Sequence, residues 1–356
     1  MSTNVNANLG TTSVREGFSF DERALSNWMI DNVDGFEGPL SVEQFKGGQS
    51  NPTYQLKTPG RSYVLRRKPP GKLLKGAHAI EREAQVLVGL EKANFPVAHV
   101  HALCTDETII GTWFYIMDMV EGRIFWDATL PELNNSERAD IYRAMCNTMA
   151  ELHMVDFQAV GLGEYGRPGN YFERQIGRWT KQYLQDVDAG RDDNMDRLVE
   201  WLPENMPDGD ETTLVHGDFR IDNMIFHPTE PRVLAVLDWE LSTLGHPLAD
   251  FAYNAMAYRM PPHIVAGLAG ADIKALGIPS EQEYIDNYCR QTQRDTIPGY
   301  DFYIAFNFFR LAAIFHGIKG RTIRGTAASA QAIQRAKLFP ELAQLAWEQV
   351  TRIKLR

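Results

Sequence analysis

The chain has 356 residues, a formal net charge of -10 and a hydrophobic fraction of 44%, so it can bury a large core and is not intrinsically disordered. A nucleic-acid partner is not expected, because binding to phosphate backbones needs clustered basic charge. No apolar run approaches the roughly 18 residues of a membrane span, so no membrane partner is expected either.

The N-terminal segment and the cysteines bear on the location of the chain. Residues 1–17 are rich in Asn, Thr and Ser, with neither a basic start nor an apolar stretch, and predict a disordered tail instead of a signal peptide. Cys104, Cys146 and Cys289 are far apart and show no C-x-x-C spacing, which predicts reduced thiols. Both features indicate a cytoplasmic protein.

The first part of the chain predicts a helix followed by an antiparallel sheet. Apolar residues at helical spacing, with Asp21 as a cap, indicate a helix over 21–33. Short runs between Gly, Pro or Asn clusters indicate strands. Strands are expected over 40–45, 53–57, 63–67 and 113–119, and an amphipathic helix over 75–92. Residues 120–122 resemble a hinge, so a first lobe is predicted over 18–121.

The remainder, 122–356, is mostly helical in pattern. A helix over 136–155 can be capped by Ser136. Further helices are predicted over 171–185, which carries several long polar side chains on one side, and over 305–319, which is markedly apolar. The last two helices are candidates for the wall of a substrate site.

Two motifs in this second part carry the chemistry. Asp218, in His216-Gly217-Asp218, is followed five positions later by Asn223, and Asp238 comes after a hairpin-like spacer. Protein kinases have an H-R-D-x-x-x-x-N loop and a later D-F-G in the same order and spacing. Asp218 is therefore predicted to orient or accept the proton of a substrate hydroxyl. The alternative is an ordinary turn aspartate.

Asn223 and Asp238 offer hard oxygen ligands of the type that Mg²⁺ prefers, and we predict that they hold this ion. Their alternatives are an Asx turn and a capped hairpin. Arg220 either contacts the transferring phosphate, as an arginine clamp does, or is a solvated surface residue. His216 and Asp250 are expected to hold the catalytic loop without reacting.

A nucleotide would also need groups for its phosphates. Residues 46–51 lie between two predicted strands, where kinases place a phosphate-covering loop. Ser50 and Asn51 are assigned to this role, although the segment lacks G-x-G-x-x-G spacing and a Gly-Gly hairpin turn fits it as well.

The third predicted strand supplies the cation. Arg66 and Lys68 share one face of it by the two-residue alternation, so either is predicted to grip the phosphates. Glu83 is the expected ion-pair partner, with Glu81 as the alternative. The predicted nucleotide-binding set is completed by Val64, Asp118 and Val120.

The HGD-to-Asn motif and the later Asp238 resemble those of the aminoglycoside phosphotransferase and choline kinase superfamily. The resemblance extends from the Gly47 loop to the Ala327 region. It implies an α+β, protein-kinase-like fold of two lobes, with a small antiparallel sheet and one main helix in the first and mostly helices in the second. It also implies ATP and Mg²⁺ as cofactors.

Within this superfamily the chain is similar to kinase domains that are fused to, or encoded beside, acyl-CoA dehydrogenases. The segments that carry this resemblance are Gly48-Gln-Ser-Asn-Pro-Thr-Tyr54, 63–71, Arg178-Trp179 and 310–328. The resemblance implies a hydroxyacyl-CoA thioester as the substrate and an acyl-CoA dehydrogenase in the same pathway.

Local charge gives a separate argument about the substrate. Residues 302–340 contain no Asp or Glu but six bases, which favours an anionic substrate over a polycationic aminoglycoside. A solvated basic face is the alternative. The candidate substrate-binding residues are Arg174, Arg178, Arg310, Lys319, Arg321 and Arg324.

Two other functions stay open. One is an aminoglycoside- or choline-type kinase, and the other is a catalytically silent nucleotide-binding module, against which the intact Asp218, Asn223 and Asp238 argue. A protein kinase is disfavoured, because Asp250 follows Asp238 by only twelve positions and leaves no room for a long activation segment.

Overall fold

The computed structural model describes residues 10–47, 51–71, 78–327 and 329–354. The chain forms two compact units, each assembled from separate stretches of sequence. Unit 1 contains the described residues up to Trp126, together with Asp156–Tyr165 and Asp222–Ser242. Unit 2 contains Asp127–Val155, Gly166–Ile221 and the described residues from Thr243 onward. The first division after Trp126 lies close to the predicted hinge, but two later segments also belong to unit 1.

Unit 1 is built on a six-stranded antiparallel sheet with the strand order β1-β2-β3-β4-β6-β5. The strands are β1 (Thr11–Thr12), β2 (Ser41–Phe45), β3 (Thr53–Lys57), β4 (Ser62–Arg67), β5 (Val100–Cys104) and β6 (Phe114–Asp118). The four predicted strands correspond to β2, β3, β4 and β6. The tail prediction is wrong for Thr11 and Thr12, because these β-branched residues pair with Gln44 and Phe45 and the Thr11 hydroxyl donates a hydrogen bond to Glu43.

Three helices accompany this sheet. They are α1 (Glu22–Asn32), α2 (Ile80–Lys92) and the short α3 (Glu107–Ile110). As predicted, Asp21 caps α1, since its side chain accepts hydrogen bonds from the amides of Arg23 and Ala24. The predicted helix over 75–92 corresponds to α2, and its residues 75–77 lie outside the described residues.

The core of unit 1 lies between α1 and the sheet. Leu25 and Met29 of α1 are fully buried in the same cluster as alternate residues of β3, Tyr54 and Leu56, and Phe114 of β6. This alternation is the expected pattern for a strand with one face on the core. The packing of this face of α1 therefore fixes which side chains of β3 point to the opposite face of the sheet.

Four short strands form two further ribbons. They are β7 (Thr213–Val215), β8 (Met224–Phe226), β9 (Val233–Val236) and β10 (Thr243–Gly245). Strand β8 pairs with β9 in unit 1, and β7 pairs with β10 in unit 2. The sequence HGD lies directly after β7, and Asp238 follows β9.

Unit 2 is otherwise helical. Its helices are α4 (Asn135–Met154), α5 (Tyr171–Gln185), α6 (Asp193–Glu204), α7 (Pro247–Ala255), α8 (Ile273–Leu276), α9 (Glu281–Gln291), α10 (Tyr300–Ile323) and α11 (Ala330–Lys354). The cap of α4 is Asn134 in a capping box with Glu137, so the prediction of Ser136 is wrong. Most of α10 is buried, and it packs against α5, α7 and α11.

All three cysteines are buried and unpaired, as predicted. Among the helices of the described ranges, none combines the length and apolar character that a bilayer crossing needs.

Candidate active site

In unit 2, the loop after β7 is anchored to the first turn of α7 by Asp250. The Asp250 carboxylate accepts the backbone amides of His216 at 2.7 Å and Gly217 at 2.8 Å, and His153 Nε2 lies 3.3 Å from it. Burial acts to raise the pKa of Asp250, but His153 and the amide of His216 outweigh it and lower that pKa. An ionised Asp250 therefore fixes the backbone immediately before Asp218.

The Asp218 carboxylate is partly exposed, and one of its oxygens contacts both Tyr253 and Arg220. The Tyr253 hydroxyl, on α7, donates to Asp218 Oδ1, and Arg220 Nε lies 3.2 Å from the same atom. The backbone amide of Asp218 donates to His216 Nδ1 at 3.2 Å, so His216 contacts the loop through its ring. Sequence reasoning missed Tyr253. Its position three residues after Asp250, on the same face of α7, was the available signal.

Arg310 of α10 lies beside this loop. Its Nη2 donates to the Gly217 carbonyl at 2.8 Å, and its guanidinium carbon lies 5.3 Å from the centre of the Tyr253 ring. Arg310 at Gly217 and Arg220 at Asp218 therefore place two cations at this loop.

The other two predicted substrate residues, Arg174 and Arg178, lie on α5. Burial raises the pKa of Tyr171, and the charges of Arg310, Arg174 and Arg178 oppose this shift. Arg174 Nη2 donates to the Arg167 carbonyl at 2.7 Å, whereas its buried Nη1 has no partner among the described residues. An anion would satisfy that donor.

Of the remaining three predicted substrate residues, Lys319 and Arg321 lie in the last part of α10 and Arg324 directly follows it. Arg324 is paired with Asp186 at 2.6 Å and Asp188 at 3.0 Å, which neutralise its charge. Lys319 Nζ lies 5.5 Å from the ring centre of Phe339, and Arg321 is in the last turn. The contacts therefore favour Arg310 over Arg324 as an anion-binding residue.

In unit 1, Arg66 bridges two predicted site residues. Its Nε lies 2.7 Å from Glu83 Oε2 and its Nη2 lies 2.8 Å from Asp238 Oδ1. Lys68 instead pairs with Glu81 at 2.9 Å. Arg66, and not Lys68, is therefore the ion-pair partner of the buried Glu83.

Asn51 also contacts Glu83. Its Nδ2 donates to Glu83 Oε1 at 2.7 Å, its Oδ1 lies 2.9 Å from His78 Nδ1, and the residue is fully buried. The side chain of Asn51 therefore braces the ion pair, where the sequence had suggested a phosphate contact. Ser50, the other residue predicted in this loop, lies outside the described residues.

A cavity of about 290 Å³ lies within unit 1. Most of its wall is apolar, and one part of it is formed by Arg66, Asn223 and Asp238. The predicted residues Val64, Asp118 and Val120 also line it. The carboxylate of Asp118 is engaged by Arg61 and by His101 Nε2 at 2.8 Å, so this side chain is held at the rim by protein partners.

Asn223 and Asp238 fit a magnesium ion chemically. Both line the same cavity and offer hard oxygen atoms. Mg²⁺ usually takes one or two protein ligands and completes its coordination shell with phosphates and water. Asp238 also has φ of 64°, a conformation that is uncommon outside glycine and clusters at functional sites.

Residues 41–284 match the phosphotransferase enzyme family, and the chain belongs to this family. The predicted family is thereby confirmed.

Two curated relatives carry acyl-CoA dehydrogenase names. Acyl-CoA dehydrogenase family member 10 of Mus musculus is 45% identical over 96% of this chain, and family member 11 of Gallus gallus is 44% identical over 94%. The match covers only 32% and 44% of these two relatives, so the chain spans less than half of their length. The predicted similarity to domains associated with such dehydrogenases is confirmed.

A protein from Ralstonia eutropha JMP134 is 50% identical in sequence to this chain. Its crystal structure carries the proposed assignment of aminoglycoside phosphotransferase. It has a TM-score of 0.88 and the match covers 94% of this chain and 99% of that one. Choline kinase of Cryptosporidium parvum Iowa II (13% identity, TM-score 0.63, 93% and 97% coverage) shares the fold. So does APH(4)-Ia in complex with ADP and hygromycin B (15%, 0.59, 92% and 98%). The predicted α+β, protein-kinase-like fold is confirmed.

Proposed function

We propose that the chain is an ATP- and Mg²⁺-dependent kinase that transfers the γ-phosphoryl group to a hydroxyl of a small molecule. The observation that carries this proposal is the arrangement at Asp218: a partly exposed carboxylate, on a loop fixed by Asp250, that already accepts a hydrogen bond from a hydroxyl group. An acceptor hydroxyl needs the same kind of contact with its general base.

The cavity of unit 1 is the proposed nucleotide site. Its apolar wall suits a purine, and Arg66, braced by Glu83, supplies a cation for the phosphates. Asn223 and Asp238 would hold Mg²⁺, which supplies charge neutralisation on the transferring phosphoryl group. We propose ATP as the nucleotide, as the resemblance to aminoglycoside phosphotransferases and choline kinases implies.

For the acceptor we propose a hydroxyacyl-CoA. The names of the relatives support an acyl-CoA pathway with an acyl-CoA dehydrogenase acting in it. We further propose that the reaction takes place in the cytoplasm. Arg174, Arg178 and Arg310 also favour an anion, since one guanidinium at about 4 Å from a phosphate gains roughly 4 kcal/mol of gross Coulomb energy at an effective dielectric constant of about 20. The same charges would repel an aminoglycoside or choline.

The test is ADP release from ATP and Mg²⁺ with 3- and 4-hydroxyacyl-CoAs, the free hydroxy acids, choline and kanamycin. The proposal expects turnover of a CoA thioester well above the rate without acceptor. Turnover of choline or kanamycin alone would contradict the CoA assignment. ATP binding without turnover of any compound would favour a silent nucleotide-binding module.

Arg310→Gln tests the anionic acceptor. We expect the KM for the acyl-CoA to rise about tenfold, which corresponds to roughly 1.4 kcal/mol, with the KM for ATP unchanged. Arg324→Gln is the matched control, because Asp186 and Asp188 already neutralise that arginine. Equal effects of the two substitutions would contradict the assignment of Arg310.

Glu83→Gln tests the ion pair beneath the proposed phosphate site. Because Glu83 is 2% exposed and pairs with Arg66, we expect a loss of about 3 kcal/mol in the free energy of unfolding. Glu81→Gln is the control, since its pair with Lys68 is more exposed and such pairs contribute at most about 1 kcal/mol. Denaturant unfolding of both variants measures the difference. Equal losses would show that the Glu83 pair contributes no more to the free energy of unfolding than the Glu81 pair does.

A further inference from the structure

In the hydrogen bond between Tyr253 and Asp218, the donor and the acceptor can be assigned. Asp218 as a carboxylate only accepts, so the Tyr253 hydroxyl donates to Oδ1. Burial raises the pKa of Tyr253, and the neighbouring Asp218 charge raises it further. The phenol therefore stays protonated through the neutral range and remains a donor.

Tyr253 is itself held in place. Arg310 lies over its ring at 5.3 Å and ties α10 to the Gly217 carbonyl at 2.8 Å. The next residue of α7, Asn254, donates to the Phe219 carbonyl at 3.0 Å and accepts from the Tyr284 hydroxyl at 2.6 Å. Arg310 thus contacts both the ring and the loop that carries Asp218, and Asn254 adds a second contact between α7 and that loop.

The hydrogen bond from Tyr253 and the ion pair with Arg220 restrain a torsion of Asp218 that is otherwise soft. The last torsion of an aspartate side chain has a broad, roughly two-fold profile, so the carboxylate plane is poorly defined without partners. Tyr253 and Arg220 approach the same oxygen from the helix and from the loop. Both contacts contribute to the orientation of the carboxylate before any acceptor binds.

We infer that Tyr253 is a positioning residue for the phosphoryl transfer, acting through the Asp218 carboxylate plane. This inference rests on the proposed function. Its benefit is preorganisation: an acceptor hydroxyl meets a carboxylate that is already aligned, and misplacement by about 1 Å can cost about 10²-fold in rate.

Tyr253→Phe removes the hydroxyl and keeps the ring under Arg310. We expect kcat to fall about 10- to 100-fold, with the KM for ATP and for the acceptor changed less than about twofold, because Tyr253 acts on the base and not on ligand binding. Tyr258→Phe is the matched control. Its buried hydroxyl has no partner among the described residues, so the same chemical change should leave kcat unaltered.

A double-mutant cycle separates positioning from a general packing effect. In the Asp218→Ala background, Tyr253→Phe should cause no further loss, because the carboxylate that it orients is gone. A structural role would instead lower the residual rate by the same factor in both backgrounds. Thermal unfolding of each variant checks that the folded fraction is unchanged.

The possible failures are distinguishable. If wild-type protein transfers phosphate to no acceptor, the proposed function fails. If wild type transfers phosphate but Tyr253→Phe matches Tyr258→Phe, or if the two losses in the cycle multiply independently, the inference about Tyr253 is overturned while the kinase assignment stands.

Discussion

Asp218→Asn is expected to lower kcat by about 10²- to 10⁴-fold, the range for loss of a positioned general base. The substitution keeps the size of the side chain and an oxygen for the Tyr253 hydroxyl, but removes the charge that attracts and accepts the acceptor proton. ATP binding should persist, since the proposed nucleotide contacts lie in unit 1. Steady-state ADP release and nucleotide titration measure both quantities.

The control for this prediction is Asp295→Asn, which makes the same change at an exposed position. It should retain wild-type kcat. If Asp218→Asn kept more than about a tenth of the wild-type rate, Asp218 would not be acting as the base.

Asp238→Asn is expected to have an effect of comparable size, about 10³-fold in kcat, because a metal ion contributes several kcal/mol of charge stabilisation to the transition state. Asparagine can still accept a hydrogen bond from Arg66 but lacks the carboxylate charge that favours Mg²⁺. The half-saturating Mg²⁺ concentration should therefore rise, as measured by ATP affinity across a magnesium series.

Glu240→Gln provides a comparison for Asp238, since Glu240 also lies near Arg66, at 3.9 Å. It is predicted to leave the magnesium dependence close to that of wild type. An unchanged magnesium requirement in Asp238→Asn would contradict the assignment of this residue as a metal ligand.

The sequence was most informative where a motif or a period defines the chemistry. Alternation and turn residues predicted β2, β3, β4 and β6, and helical spacing with Asp21 as a cap predicted α1. Spacing could not separate Arg66 from Lys68, because the two-residue alternation places both on one face of the predicted strand. The structure distinguishes them by their partners: Arg66 pairs with the buried Glu83, whereas Lys68 pairs with the more exposed Glu81.

Other features depend on contacts between segments that are distant in sequence. Tyr253 belongs to no motif, and its role follows from the packing of α7 against the loop of Asp218. The six cations proposed for the substrate looked equivalent in the sequence. They differ because Asp186 and Asp188 neutralise Arg324, whereas Arg310 lies beside Gly217 and Tyr253.

The most direct test of the central claim follows the label from [γ-³²P]ATP in a reaction with Mg²⁺ and a hydroxyacyl-CoA, with Asp218→Asn in parallel. The account predicts that the label moves to the hydroxyl oxygen of the intact thioester in the wild-type reaction and stays in ATP in the variant. Label released only as inorganic phosphate, or transferred equally by both proteins, would contradict it.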